Sequence, residues 1–262
     1  MSSHHTFTYK DLNIACEKTG NGKPLVILHG WGSSKRVMMP AAQNLSHLRT
    51  CYVLDLPGFG DSPEPPRPWN IDDYADAIQA FIESLPKNNV DVLVHSFGGR
   101  IMLKLSAREF GKSHIDKVLI TGGAGMKPKR SMKFYFKTYM AKILKAPFMI
   151  LPGSLREKAM VWLRNTALWK SLGSGDYSKL SGVMRETFVK SVTEHLESSL
   201  PEIPHEVLLL WGRNDDATPV YQAERMEKGI KNAALVIIED AGHYAFLDKP
   251  KQFARIAEAF FE

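Results

Sequence analysis

Cysteine is scarce: the 262-residue chain has two, Cys16 and Cys51, far apart and without metal-like spacing. That scarcity excludes a disulfide framework and makes a reducing cytoplasm the expected setting. Long apolar runs are missing too. No stretch of about 18 apolar residues occurs, so no membrane span is expected. Met1-Ser2-Ser3-His4-His5 lacks a basic segment followed by an apolar one, so no signal peptide is expected either. Internal repeats and low-complexity tracts are absent. No Gly-x-Gly-x-x-Gly follows the first parallel strand, which removes the usual dinucleotide cradle. His47, His114, His195 and His205 stand at no ligand-like spacing. Neither a cofactor nor a metal is expected.

What is present suits one large folded α/β domain with an insertion, since 44% of residues are hydrophobic and 24% charged. The net charge of +6 is concentrated in one segment. Between Gly125 and Lys158 there are nine basic residues and one acid, Glu157, so this stretch carries +8 and the remainder −2. Met132, Tyr135, Phe136, Tyr139 and Ile143 recur there at helical spacing, with Lys133 and Lys137 on another side. Two readings stay open: a core-packed helix with a solvated basic face, or an interfacial helix that leans on an anionic membrane or draws in an acidic substrate. The stretch contains no nucleic-acid recognition module, so no nucleic-acid partner is expected.

Short β-rich runs alternate with longer helical ones, the pattern of a mostly parallel sheet covered on both faces. The strand segments are Asn13–Lys18, Leu25–Leu28, Cys51–Leu54, Val90–Val94, Lys117–Ile120, Val207–Leu210 and Leu235–Ile238. Several are continuously apolar, as strands buried on both faces should be. Asp72 and Asp73 open a helix running to about Leu85, with acids at the favourable end of its dipole. Thr218-Pro219 reads as a helix N-cap followed by proline in the first turn. The last helix opens at Asp248 and Pro250, with Phe253, Ile256 and Phe260 at helical spacing. From 124 to 200 no strand alternation is found, which marks a helical insertion between two sheet strands.

The strongest local signal is Val92-Leu93-Val94-His95-Ser96-Phe97-Gly98-Gly99. A β-run ends at a serine, glycines follow, and a helix-compatible segment, Arg100–Phe110, begins. Such a turn strains the serine backbone and lifts its hydroxyl above the sheet edge. A serine hydroxyl needs a positioned base, itself oriented by a third group. Strand Val207–Leu210 runs into Trp211-Gly212-Arg213-Asn214-Asp215, and strand Leu235–Ile238 into Glu239-Asp240-Ala241-Gly242-His243. In a parallel sheet both loops share the serine's edge, where open α/β sheets bind ligands. Asp216 remains an alternative to Asp215 as the acid. His29-Gly30-Trp31-Gly32 can supply backbone N–H donors to an oxyanion; the amides of Trp31 and Phe97 are the expected pair. His29 and His95 are expected to hold loops, and Asp55 and Asp61 to be structural.

Taken together, His29-Gly30-Trp31-Gly32, Asp55-Leu56-Pro57-Gly58-Phe59-Gly60-Asp61-Ser62, His95-Ser96-Phe97-Gly98-Gly99, Trp211-Gly212-Arg213-Asn214-Asp215 and Gly242-His243 make the chain resemble a capped, cofactor-independent α/β-hydrolase-fold protein over essentially its whole length. The resemblance implies a mostly parallel eight-stranded sheet with helices on both faces. It also implies a core of 1–123 and 201–262 and a helical cap at 124–200. Its implied roles are nucleophile Ser96, acid Asp215 and base His243. The family's elbow reads Gly-x-Ser-x-Gly, whereas this chain has Val94 two places before the serine, where a β-branched side chain crowds the strand–helix approach.

The expected activity is hydrolysis of a small to medium carboxylic ester, with a small-molecule ester-like substrate as partner. The same three residues would serve a carbon–carbon bond hydrolase, a lactonase or a perhydrolase, and a slow-turnover ligand sensor is a further alternative. An aspartate nucleophile is disfavoured because position 96 is serine. In the insertion, Trp162 and Trp169 are candidates for lining a substrate pocket, or for seating the cap on the core.

Overall fold

The computed structural model describes residues 3–87, 89–129, 132–166, 180 and 182–262. Eight strands form one sheet: β1 (Ser3–Tyr9), β2 (Leu12–Thr19), β3 (Lys23–Leu28), β4 (Arg49–Leu54), β5 (Val90–His95), β6 (Ile115–Thr121), β7 (Glu206–Gly212) and β8 (Ala233–Ile238). Their spatial order is β1-β2-β4-β3-β5-β6-β7-β8. Only the β1–β2 and β2–β4 pairs are antiparallel; the other five are parallel. The apolar runs of β3 and β5 place them at the centre, where water reaches neither face.

Strand β1 does not stand out in the sequence. It is an edge strand with mostly exposed residues, so its pattern carries no buried face. Pairing with β2, from Ser3 opposite Lys18 to Tyr9 opposite Leu12, is what makes it a strand.

Helices cover both faces. The described helices of the chain are α1 (Lys35–Leu45), α2 (Ile71–Glu83), α3 (Phe97–Ser106), α4 (Glu109–His114), α5 (Met132–Met149), α6 (Gly153–Asn165), α7 (Gly182–Thr193), α8 (Val220–Gly229), α9 (Ala245–Asp248) and α10 (Pro250–Phe261). On one face Leu25, Ile27, Val53 and Leu93 join Met38 and Ala42 of α1 and Phe253 and Phe261 of α10 in a continuous core. The alternate strand residues Val26, Leu28, Val92 and Val94 are equally buried and belong to the opposite face. There Phe81 of α2 meets the rings of Phe7 and Tyr52, at 5.4 and 5.9 Å. Helix α2 starts one residue before Asp72 and is closed by a capping box: Asn70 accepts from the Asp73 amide while Asp73 accepts from that of Asn70, each at 2.9 Å. In α10 the fully buried stripe is Phe253, Ala257 and Phe261, with Ile256 and Phe260 at its margin.

The chain divides into two compact units, one of Met1–Lys127 with Glu186–Glu262 and one of Pro128–Arg185. The bounds differ from the expected 124–200 because residues 186–200 are tied to the first unit by polar contacts that leave no periodic signal. Thr187 Oγ1 accepts from the Trp69 amide at 3.1 Å, and Lys190 Nζ donates to Pro68 O at 3.0 Å. Glu194 takes Lys104 Nζ at 2.8 Å, and its carbonyl takes Arg100 Nη1 at 2.5 Å. The second unit contains α5 and α6. Among the described residues no helix is long and apolar enough to cross a membrane.

Helix α3 lies close over β3 because residue 98 has no side chain: a Cβ there would stand 2.9 Å from both Leu28 Cβ and Leu28 O. Gly98→Ala is therefore expected to lower the unfolding free energy by about 1–3 kcal/mol, measured by urea denaturation.

Candidate active site

Strand β5 ends at His95 and α3 begins at Phe97, so one residue, Ser96, turns the chain. Its backbone sits at φ 51, ψ −108, a conformation that costs a non-glycine residue of order 1–3 kcal/mol. Three hydrogen bonds hold it. Its amide donates to Thr121 O at 3.1 Å, and its carbonyl accepts from Gly99 N at 2.9 Å and Ala124 N at 3.0 Å. The neighbours His95 and Phe97 are buried while Ser96 is half-buried. Val94 is fully buried in β5, and the turn keeps its strained form around it. The close approach of helix to strand is made at Gly98, not at residue 94. Phe97, first in α3, has an amide with no intrahelical acceptor.

The loops after β7 and β8 bring Asp215 and His243 together: His243 Nδ1 donates to Asp215 Oδ2 at 2.9 Å. Asp216 is exposed and Asp215 buried, which settles the carboxylate in contact with the imidazole. Asp215 Oδ1 accepts the amides of Ala217 at 3.0 Å and Thr218 at 2.8 Å, and Thr218 Oγ1 reaches Oδ2 at 2.9 Å. Burial pushes this carboxyl up. The bonds from His243 and Thr218 outweigh burial and hold it below its ordinary 3.8. Thr218 is thus not the expected helix cap. Helix α8 starts at Val220 with Pro219 before it, and the threonine hydroxyl lies 2.9 Å from Gly122 O and 3.4 Å from His243 Nδ1. Sequence reading missed it because a threonine before a proline has the same signature as an N-cap.

The two motif histidines tie loops together. His29 Nδ1 donates to Gly30 O at 2.7 Å, and its Nε2 accepts from the Leu56 amide at 3.0 Å. His95 Nε2 donates to the carbonyl of His243 at 3.1 Å, and the two rings lie 4.6 Å apart. The His243 backbone is thereby fastened to the residue that precedes Ser96. His95 Nδ1 is buried without a partner among the described residues. Burial, then the neighbouring His243, pushes His95 down to about 3, so the ring stays neutral.

The His29-Gly30-Trp31 loop also borders the turn: a Cβ on Gly30 would come within 2.9 Å of His95 Nδ1 and 3.0 Å of Ser96 Cβ. The Trp31 ring packs edge-on against Phe97, Phe59 and Phe188, with centroids 5.1, 4.8 and 5.1 Å away. Phe188 had no sequence signal, since it lies in what reads as the insertion. Beneath the loop, buried Asp55 accepts Lys35 N and Lys35 Nζ, both at 2.6 Å, and the amide of Asp61 at 2.8 Å. Asp55 and Asp61 are therefore structural. Trp162, on α6, is 64% exposed, and Trp169 lies outside the described residues. Among the described residues no group of three or more His, Cys, Asp and Glu side chains is arranged to hold a metal.

A family model described as "alpha/beta hydrolase fold" matches residues 23–250. The chain belongs to the α/β hydrolase family. It is 25% identical to the AB hydrolase superfamily protein YisY of Bacillus subtilis (strain 168), covering 98% of both chains. It is also 25% identical to a pimeloyl-[acyl-carrier protein] methyl ester esterase of Nitrosomonas europaea, covering 94% of this chain and 99% of that one. An esterase structure from Exiguobacterium antarcticum superposes with a TM-score of 0.71 at 22% identity, over 95% of this chain and 96% of that one. As a member of this family the protein is an α/β-fold hydrolase.

The neutral, buried His95 gives a pH signature. Above its ordinary 6.5 it is uncharged whether the chain is folded or not. As pH falls from 6.5 toward about 3 the unfolded chain takes up the proton first, so folding stability is lost across that window. His95→Gln keeps an N–H for the His243 carbonyl and removes the titration. Urea midpoints should fall less steeply with acid in this variant than in the parent.

Proposed function

We propose that the protein is a serine hydrolase that cleaves small to medium carboxylic esters through an acyl-enzyme. The observation that carries this reading is the 2.9 Å Asp215–His243 hydrogen bond in a loop fastened beside the strained turn at Ser96. A neutral imidazole whose Nδ1–H is held by a carboxylate presents Nε2 as a base. In this mechanism Ser96 Oγ attacks the ester carbonyl and His243 Nε2 takes its proton. The amides of Trp31 and Phe97 stabilise the oxyanion. His243 then passes the proton to the departing alcohol, and water releases the acyl group by the same steps in reverse order of roles.

Asp215 supplies the tautomer and stabilises the imidazolium. Its low-lying pKa suits that task, because a carboxylate ready to accept the proton would let the ring rotate or reverse. The hydroxyl of Thr218 fixes the carboxylate between the base and Gly122 O. The Nitrosomonas relative, named for a methyl ester, supports esters over other acyl bonds as the substrate class. Both cysteines are free and buried, which fits action in a reducing cytoplasm.

A fluorophosphonate probe tests the reading, with mass spectrometry of the modified peptide. Labelling at Ser96 that disappears in His243→Ala is the expected result. Full esterase activity in Ser96→Ala would overturn the mechanism, since loss of the nucleophile should cost roughly 10⁴–10⁶ in kcat. Thr218→Val should retain the fold and lower kcat about tenfold with little change in KM, as expected for loss of one hydrogen bond that orients the acid.

A further inference from the structure

The second unit displays apolar side chains that a water-facing surface does not account for. The seven most exposed large apolar residues among those described all lie between Tyr139 and Trp162. Ile150, at the connection between α5 and α6, is 87% exposed; Tyr139 and Trp162 are each 64% and Met149 and Leu155 each 57%. Of the helical stripe noted in the sequence, Tyr139 and Ile143 are both exposed, so at those positions the stripe does not face a core. Single exposed apolar residues need no explanation, but a concentration in one helical pair does.

Charge in this segment indicates what covers them. Arg156 and Lys158 are exposed on α6 beside Leu155, and the 125–158 stretch carries nine basic residues against Glu157 alone. Arg156 also borders an open groove of about 490 Å³ with Met149, Met160 and Val161, and Glu157, the one acid of the stretch, lines it too. A second copy would set one +8 segment against another. A globular core would bury the tryptophan and leave the lysines outside, not side by side. Apolar tips interleaved with arginine and lysine, with an exposed tryptophan at the margin, match the boundary between acyl chains and anionic headgroups. No described helix can cross a membrane, so the segment would lie on the surface.

We propose that the α5–α6 hairpin is an interfacial anchor that seats Met149, Ile150, Leu155 and Trp162 in the headgroup layer of an anionic membrane, with Arg156 and Lys158 against lipid phosphates. This inference does not depend on the hydrolytic mechanism.

The test uses the full chain with Ile150→Cys carrying a polarity-sensitive fluorophore. Native Cys16 and Cys51 are buried, and burial pushes both thiols up to about 12, so labelling is confined to position 150. Vesicles are phosphatidylcholine alone or with about one-third phosphatidylglycerol. Co-flotation with a blue-shifted emission is expected on the anionic vesicles only, weakening in about 1 M salt, where screening shortens to about 3 Å. Arg156→Glu with Lys158→Glu should weaken binding at least about tenfold. Ile150→Ser with Leu155→Ser, tested unlabelled by flotation, should do the same with unchanged circular dichroism. Equal binding to both vesicles, no binding to either, or a blue shift without lipid that accompanies a doubled sedimentation mass would each overturn the proposal.

Discussion

A single serine carries the bend between the most buried strand and the helix that follows it, at φ 51. That conformation is unfavourable for any residue with a Cβ, and it persists because the surroundings over-determine it. Strand β5 is buried along its whole length, so its end cannot drift. Helix α3 is drawn down on β3 at Gly98, so its start cannot drift either. Between these two anchors the Ser96 carbonyl accepts from both Gly99 and Ala124. The strain is concentrated where the hydroxyl has to stand clear of the sheet.

Around this turn the polar groups are held by other buried polar groups, which makes the site stiff and sensitive to their loss. His29, His95, Asp55, Asp215 and Thr218 are all buried, and each ties one loop to another. Lys35 with Asp55 locks the start of α1 to the turn at 55–61, and His29 accepts from the Leu56 amide of the same turn. His95 fastens the His243 loop to strand β5, and Thr218 fastens Asp215 to Gly122 O just after β6. Removing one partner leaves a desolvated group behind, so the cost exceeds that of the bond itself. The three sheet-edge loops behave as one unit because they share these ties.

The second unit follows different physics. Its described helices show apolar side chains to solvent, and its basic residues outnumber its acids. Stability in the first unit comes from a two-faced apolar core with α1 and α10 on one side. Charge is divided unevenly along the chain as well: +8 in residues 125–158, −2 elsewhere.

Much of this was legible before the structure. Short β-rich runs marked seven strands, and in central β3 and β5 the runs Leu25–Leu28 and Val92–Val94 are continuously apolar because both faces are buried. Ser96, Asp215 and His243 stood out because each follows a strand at the same sheet edge, a property of chain order alone. Edge strand β1 was illegible, since pairing on one side demands no hydrophobic pattern. The limits of the second unit were also hidden: Thr187, Phe188 and Glu194 join the first unit through single polar or ring contacts, and these have no period. Tertiary structure alone decided that Asp215, not Asp216, meets the imidazole, because burial separates two chemically identical neighbours. It alone gave Thr218 to Asp215 rather than to a helix end. Sequence order determined which groups could meet; distance and burial determined which of them did.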